Sequence, residues 1–148
     1  MSAPRSRVLI VDGHSMIFQW PELSALHARN GATARDQLVR ALTRHQDSTG
    51  IHVIAVFDGR GTRTSQDAEE IRIQVFYSKS GQTADSVIER IVATYASKYE
   101  IVVATDDHME RTTVESFGAS WMSSAQLALE LRAADGELED RIKRLRGR

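Results

Sequence analysis

Carboxylates stand at or just after the ends of three apolar runs in this 148-residue chain. Asp12 follows Arg7-Val8-Leu9-Ile10-Val11, Asp58 follows the run 51–57, and Asp106 and Asp107 follow Ile101-Val102-Val103-Ala104-Thr105. Asp85 and Glu89 are four residues apart, one turn along the same face of a helix. Like charges within about 4–6 Å raise one another's pKa and oppose folding. A hard divalent cation removes that conflict. Mg²⁺ prefers oxygen ligands, keeps several waters, and combines a few carboxylates with substrate phosphate. A site of this kind activates water and stabilises the leaving oxygen of a phosphodiester. Each acid also has a plainer reading. An aspartate after a strand forms a turn or a cap, Asp85 complements a helix dipole, Glu89 pairs with Arg90 or Lys98, and Asp107 caps the next helix. Three such acids at strand ends shift the balance toward a site.

The elements that must position these acids alternate in type. Residues 7–11 read as a short buried strand stopped by Asp12-Gly13. Residues 34–48 are helical, with Leu38, Ala41, Leu42 and His45 on one side. Residues 51–57 form a second strand, and the alternating run 71–77 a third, at an edge. Residues 83–97 carry the clearest helical pattern, with Ala84, Val87, Ile88, Ile91, Val92 and Tyr95 on one face. Thr83 suits their N-cap. A strand at 101–104, a helix at 107–116 ending at Gly118, a short strand at 119–122 and a long final helix over 124–146 complete the pattern. Alternating strands and helices predict an α/β domain with a mostly parallel sheet. In such a sheet the strand ends share one edge, where ligands bind.

Composition narrows the classes. The chain reads as one domain, with a polar tail over residues 1–6. Nineteen Lys and Arg balance twenty Asp and Glu, for a net charge of −1. That balance argues against a simple basic coat on nucleic acid. Cysteine is absent, which removes disulfide-linked partners, thiolate nucleophiles and Cys-based zinc sites. No window approaches about 18 consecutive apolar residues, so no membrane span is expected, and the expectation is a cytoplasmic protein.

Several short motifs occur in a fixed order: Val11-Asp12-Gly13-His14-Ser15-Met16-Ile17, Trp20-Pro21-Glu22-Leu23, Val56-Phe57-Asp58-Gly59, Thr83-Ala84-Asp85-Ser86-Val87-Ile88-Glu89-Arg90, Val103-Ala104-Thr105-Asp106, and Ser124-Ala125-Gln126-Leu127. Their order and spacing resemble the YacP-like branch of the NYN domain family, relatives of PIN-domain nucleases. The resemblance covers roughly residues 7–145. It implies a PIN-like three-layer fold, a central parallel sheet between helices, and an acidic pocket for Mg²⁺ or Mn²⁺. It also implies a bacterial endoribonuclease acting on single-stranded RNA such as mRNA, with the ribosome as a partner. By position, Asp12, Asp85 and Asp106 resemble the family's metal-binding core, with Asp58 as a metal-side support at the rim. Glu89 and Asp107 would support that core.

The family usually reads Asp-Gly-Tyr-Asn after the first strand, and here the order is Asp12-Gly13-His14-Ser15. Ser15 can offer an oxygen where an Asn would. His14 can stack on a base or fill the aromatic's place in packing. Arg60, Arg63 and Lys79 are candidate phosphate contacts, each with a solvated surface charge as the plain reading. Five bases crowd residues 141–148, with no acid among them. They suit RNA or ribosome binding, or the C-terminal helix dipole. Trp20 and Trp121 offer stacking or packing.

Three other classes compete. A phosphoacceptor receiver domain would use Asp12 and Asp58, but it needs a lysine after the last strand, where Trp121-Met122-Ser123-Ser124 stands. A haloacid-dehalogenase-like phosphatase needs an acid where His14 stands, and no phosphate loop of the GxxxxGK type is present. The third is an RNA- or ribosome-binding module with an impaired site.

Overall fold

A computed structural model describes residues 5–59 and 73–147. The five described strands are β1 (Arg7–Asp12), β2 (His52–Phe57), β3 (Gln74–Tyr77), β4 (Glu100–Ala104) and β5 (Ser120–Met122). They form one sheet in the order β3-β2-β1-β4-β5, and every pairing is parallel. The six described helices are α1 (Gly13–Gln19), α2 (Pro21–Arg29), α3 (Gly31–Thr49), α4 (Ala84–Tyr95), α5 (His108–Ser116) and α6 (Ser124–Arg146). No described helix is long and apolar enough to cross a membrane.

Strand periodicity splits the core in two. Leu9, Val11, Val53, Ala55 and Phe57 face α1, α2, α3 and α6, which add Met16, Ile17, Leu23, Leu38, Leu42 and Leu127. Val8, Ile10, Ile54, Val56, Ile101 and Val103 face the opposite side, where α4 and α5 add Ala84, Ile88, Val92 and Val114. Both faces are covered, which is why these strands read as unbroken apolar runs rather than alternating ones.

Local signals fix several ends. The Thr83 hydroxyl accepts from the Ser86 N–H at 3.1 Å, and the Ser86 hydroxyl accepts from the Thr83 N–H at 3.2 Å, a reciprocal cap on α4. Gly118 takes φ +100°, and the Ala119 and Gly118 N–H groups return to Val114 and Glu115 carbonyls at 3.0 Å. That pattern closes α5 with a Schellman motif. The third helix begins at Gly31 rather than 34, because the Asn30 side chain accepts from the Thr33 N–H at 3.2 Å. The helices α1 and α2 precede it, where the sequence reading placed no element. The strand expected over 71–77 is described only over 74–77, and it does lie at the sheet edge.

Chain direction reverses at β1. After β1 the chain moves outward through β2 to β3, then crosses back to β4 on the other side of β1 and on to β5. The cleft between the C-terminal ends of β1 and β4 is therefore a switch point, the usual ligand position in open parallel sheets. A receiver domain has the order 2-1-3-4-5. The order 3-2-1-4-5 among the described strands removes that alternative.

Candidate active site

The switch point is held by Asp12, the last residue of β1 and 6% exposed. Its Oδ2 accepts from the Ser15 hydroxyl at 3.0 Å and from the Thr105 hydroxyl at 3.1 Å. Those hydroxyl oxygens in turn accept the Asp106 N–H and the Asp107 N–H, each at 3.2 Å. Two hydroxyls thus bridge the ends of β1 and β4 and aim both protons at one carboxylate. The Ser15 substitution for the family's usual Asn keeps a donor on Asp12.

Gly13 follows because α1 must turn tightly over β2. A Cβ at Gly13 would lie 2.4 Å from two ring carbons of the buried Phe57. The approach of backbone to ring sets where α1 starts, and with it Ser15.

Opposite Asp12, α4 presents Asp85 in its first turn and α5 presents Glu110. Burial pushes the Asp85 carboxyl above its ordinary range, and the charges of Asp12, Asp107 and Glu89 add to the rise. Contact with Glu110 works the other way and lowers it. Glu110 is only 1% exposed, and neither of its oxygens receives a donor among the described residues. Burial, followed by the charges of Asp85 and Glu89, pushes its pKa up to about 9. Five acids (Asp12, Asp85, Glu89, Asp107 and Glu110) thus act on one another across this cleft.

Not every acid named from the sequence turns this way. Asp106 is half-buried and faces α6, where its Oδ1 accepts from the Ser124 N–H at 2.9 Å and its Oδ2 from the Ser124 hydroxyl at 2.6 Å. Each oxygen retains a lone pair for a second partner. Asp58 is exposed and accepts from the Ser78 hydroxyl at 2.9 Å. Asp107 caps α5, its Oδ1 accepting from Met109 N–H at 2.9 Å, as its position suggested. Among the described residues, no three acidic or histidine side chains form a ready-made metal cage. The donor set nonetheless suits a hard cation, because Glu110 is a buried carboxyl without a donor and its neighbours are carboxylates in mutual conflict.

His14 Nε2 lies 3.4 Å from the Asp58 carbonyl oxygen. Lys79 is exposed beyond Ser78, the hydroxyl that holds Asp58. Arg60 and Arg63 lie outside the described residues. In the last turns of α6, Lys143, Arg144 and Arg146 are exposed. Both tryptophans pack. The Trp20 indole donates to the Ser124 carbonyl at 3.1 Å, and the Trp121 indole donates to the Thr105 carbonyl at 2.6 Å beneath the Arg111 guanidinium.

Sequence reasoning gave Glu110 and Thr105 no part in the site and offered Ser124 only as an alternative to Ser123 for the N-cap of α6, which Ser123 takes. A signal for Glu110 existed. It stands one turn before Val114, on the face of α5 that packs inward. The Asp107-x-x-Glu110 spacing matches a capping box, but the Asp107 N–H is taken by Thr105, which leaves Glu110 to point into the cleft.

Comparison with known proteins identifies the fold and the family. Residues 9–148 match the YacP-like NYN domain. The Bacillus subtilis (strain 168) protein YacP is 32% identical over 142 residues, covering 93% of this chain and 82% of that protein. The crystal structure of Rae1 (YacP) from Bacillus subtilis superposes with a TM-score of 0.82 at 33% identity, over 93% of this chain and 80% of the other. A T5 5′-exonuclease mutant, 20% identical, shares the fold with a TM-score of 0.51 over 80% of this chain and 50% of its own. The α/β sandwich is thus the PIN-like fold of that exonuclease, and the chain belongs to the YacP-like NYN domain family.

Proposed function

We propose that this protein is a divalent-metal-dependent endoribonuclease that hydrolyses phosphodiester bonds in single-stranded RNA, mRNA included, with the ribosome as a partner. The observation that carries the reading is the convergence of Asp12, Asp85 and the donor-less Glu110 on the switch-point cleft. Membership of the YacP-like NYN family supports the same chemistry. In this reading Asp12 and Asp85 hold Mg²⁺ or Mn²⁺ together with Glu110, and Asp106, turned to Ser124, joins them through the lone pairs its two hydrogen bonds leave open. Glu89 and Asp107 add negative potential, and Asp58 marks the rim.

When bound, such a cation acidifies water and offsets charge on the phosphoryl oxygens. The chain's own residues set up that chemistry. The Ser15 and Thr105 hydroxyls fix the Asp12 carboxylate, leaving Oδ1 free of both. Ser124 fixes Asp106 through two bonds. His14 and Lys79 flank the approach of the RNA strand. The intact hydroxyl bridge at Ser15 favours an active enzyme over an impaired binding module, since a decayed site has no reason to keep both donors on Asp12.

A covalently closed single-stranded RNA circle tests the proposal, because only internal cleavage opens it. Wild type should linearise the circle with Mg²⁺ or Mn²⁺ and leave it closed with EDTA, and Asp12→Asn should leave it closed throughout. Opening in EDTA, or by Asp12→Asn at the wild-type rate, overturns the mechanism.

A further inference from the structure

A ladder of rings leads away from the acidic cleft along α1 and α2. His14, whose Nε2 is 3.4 Å from the Asp58 carbonyl, stacks on Phe18 with ring centres 5.7 Å apart and planes 15° from parallel. Phe18 meets His27 edge-on at 5.0 Å. The ladder ends beside a cation: the His27 ring and the Arg35 guanidinium both come within 4 Å of the Cβ position at Gly31. Phe18 is 54% exposed, although its neighbours on α1, Met16 and Ile17, are fully buried. One exposed phenylalanine needs no explanation. This one is held by the stacked His14 ring and the edge-on His27 ring, one helical turn (about 5.4 Å) from the residue that touches the Asp58 backbone. A pre-set aromatic face with a cation beyond it suits a chain of bases joined by phosphates.

We infer that His14, Phe18 and His27 form a base-stacking platform for the nucleotide next to the cleaved phosphate, and that Arg35 meets the backbone beyond it. The inference rests on the single-stranded RNA reading of the acidic cleft. It adds the element that holds an unpaired base, and so a preference for single strands. Every base has a π-face, so the platform selects unstacked nucleotides rather than a sequence.

The test uses the full chain in EDTA, so that nothing is cleaved, with a short single-stranded RNA carrying 2-aminopurine. Wild type should bind it and quench the aminopurine by stacking. Phe18→Leu, which keeps an apolar side chain, should lose the quenching and bind roughly 5- to 100-fold more weakly, with an unchanged salt dependence. Phe18→Trp should restore both. Arg35→Gln should weaken binding and flatten the salt dependence. Melting curves of the Phe18 variants should match wild type, since the side chain is largely exposed. Wild-type binding with Phe18→Leu quenching just as strongly overturns the platform and leaves the nuclease reading standing. No binding of RNA by wild type overturns both.

Discussion

Replacing Glu110 with Gln should change how stability depends on pH. The Glu110 carboxyl has an ordinary pKa of 4.5 and is pushed up to about 9 in the folded protein. A raised carboxyl pKa means that the folded state binds the proton more tightly than the unfolded chain does. Its stabilising contribution is complete below about pH 4.5 and is lost progressively as pH rises toward about 9. At pH 7 the unfolded chain has gained about 2.5 units of ionisation preference that the fold denies, roughly 3 kcal/mol at about 1.36 kcal/mol per unit. Asp85, also raised, acts in the same direction. Gln at 110 cannot ionise in either state, so Glu110→Gln escapes this loss. Urea denaturation in EDTA at pH 4 and pH 7 reads it directly: wild type should lose about 3 kcal/mol more than the variant between the two pH values. In melting temperature that is about 6–12 °C for a chain of this size. Titrations of groups that do not act on Glu110 cancel in the comparison. Parallel pH–stability curves for the two proteins would refute the assignment of a buried, proton-holding Glu110. Added Mn²⁺ should then stabilise wild type more than the variant, since only wild type can present the carboxylate.

Two other substitutions test the frame around the acids. Gly13→Ala should cost about 1–3 kcal/mol in urea denaturation, because its Cβ would overlap the Phe57 ring; Phe57→Leu in the same chain should recover part of the loss. Thr105→Val keeps the shape but removes the donor to Asp12 and the acceptor for the Asp107 N–H. It should cost about 1–3 kcal/mol and slow cleavage of the RNA circle, whereas Thr105→Ser should retain both stability and rate.

What the sequence revealed follows the range of the interactions involved. Thr83, Asp107 and Gly118 act on backbone groups two to five residues away, so their roles could be read locally. Strands β1, β2 and β4 were legible because burial on both faces writes a continuous apolar run. The helices α1 and α2 are short, and Trp20-Pro21 breaks between them, so no long periodic pattern forms. The alignment of acids at strand ends was also readable, since a parallel sheet puts those ends on one edge. Their orientations were not. Asp106 turns to Ser124, 18 residues on, and Glu110 turns inward because Thr105 has taken its capping partner. Both outcomes are decided by tertiary contacts that spacing does not encode.

An acidic cleft that is a cation site built around Asp12 must bind a divalent metal on its own. Electron paramagnetic resonance of free Mn²⁺, titrated against wild type and Asp12→Asn, measures this without any RNA. Wild type should remove Mn²⁺ from solution saturably, and Asp12→Asn should weaken that binding by more than about tenfold. Absence of saturable binding in wild type, or equal affinity in the two proteins, would contradict the account.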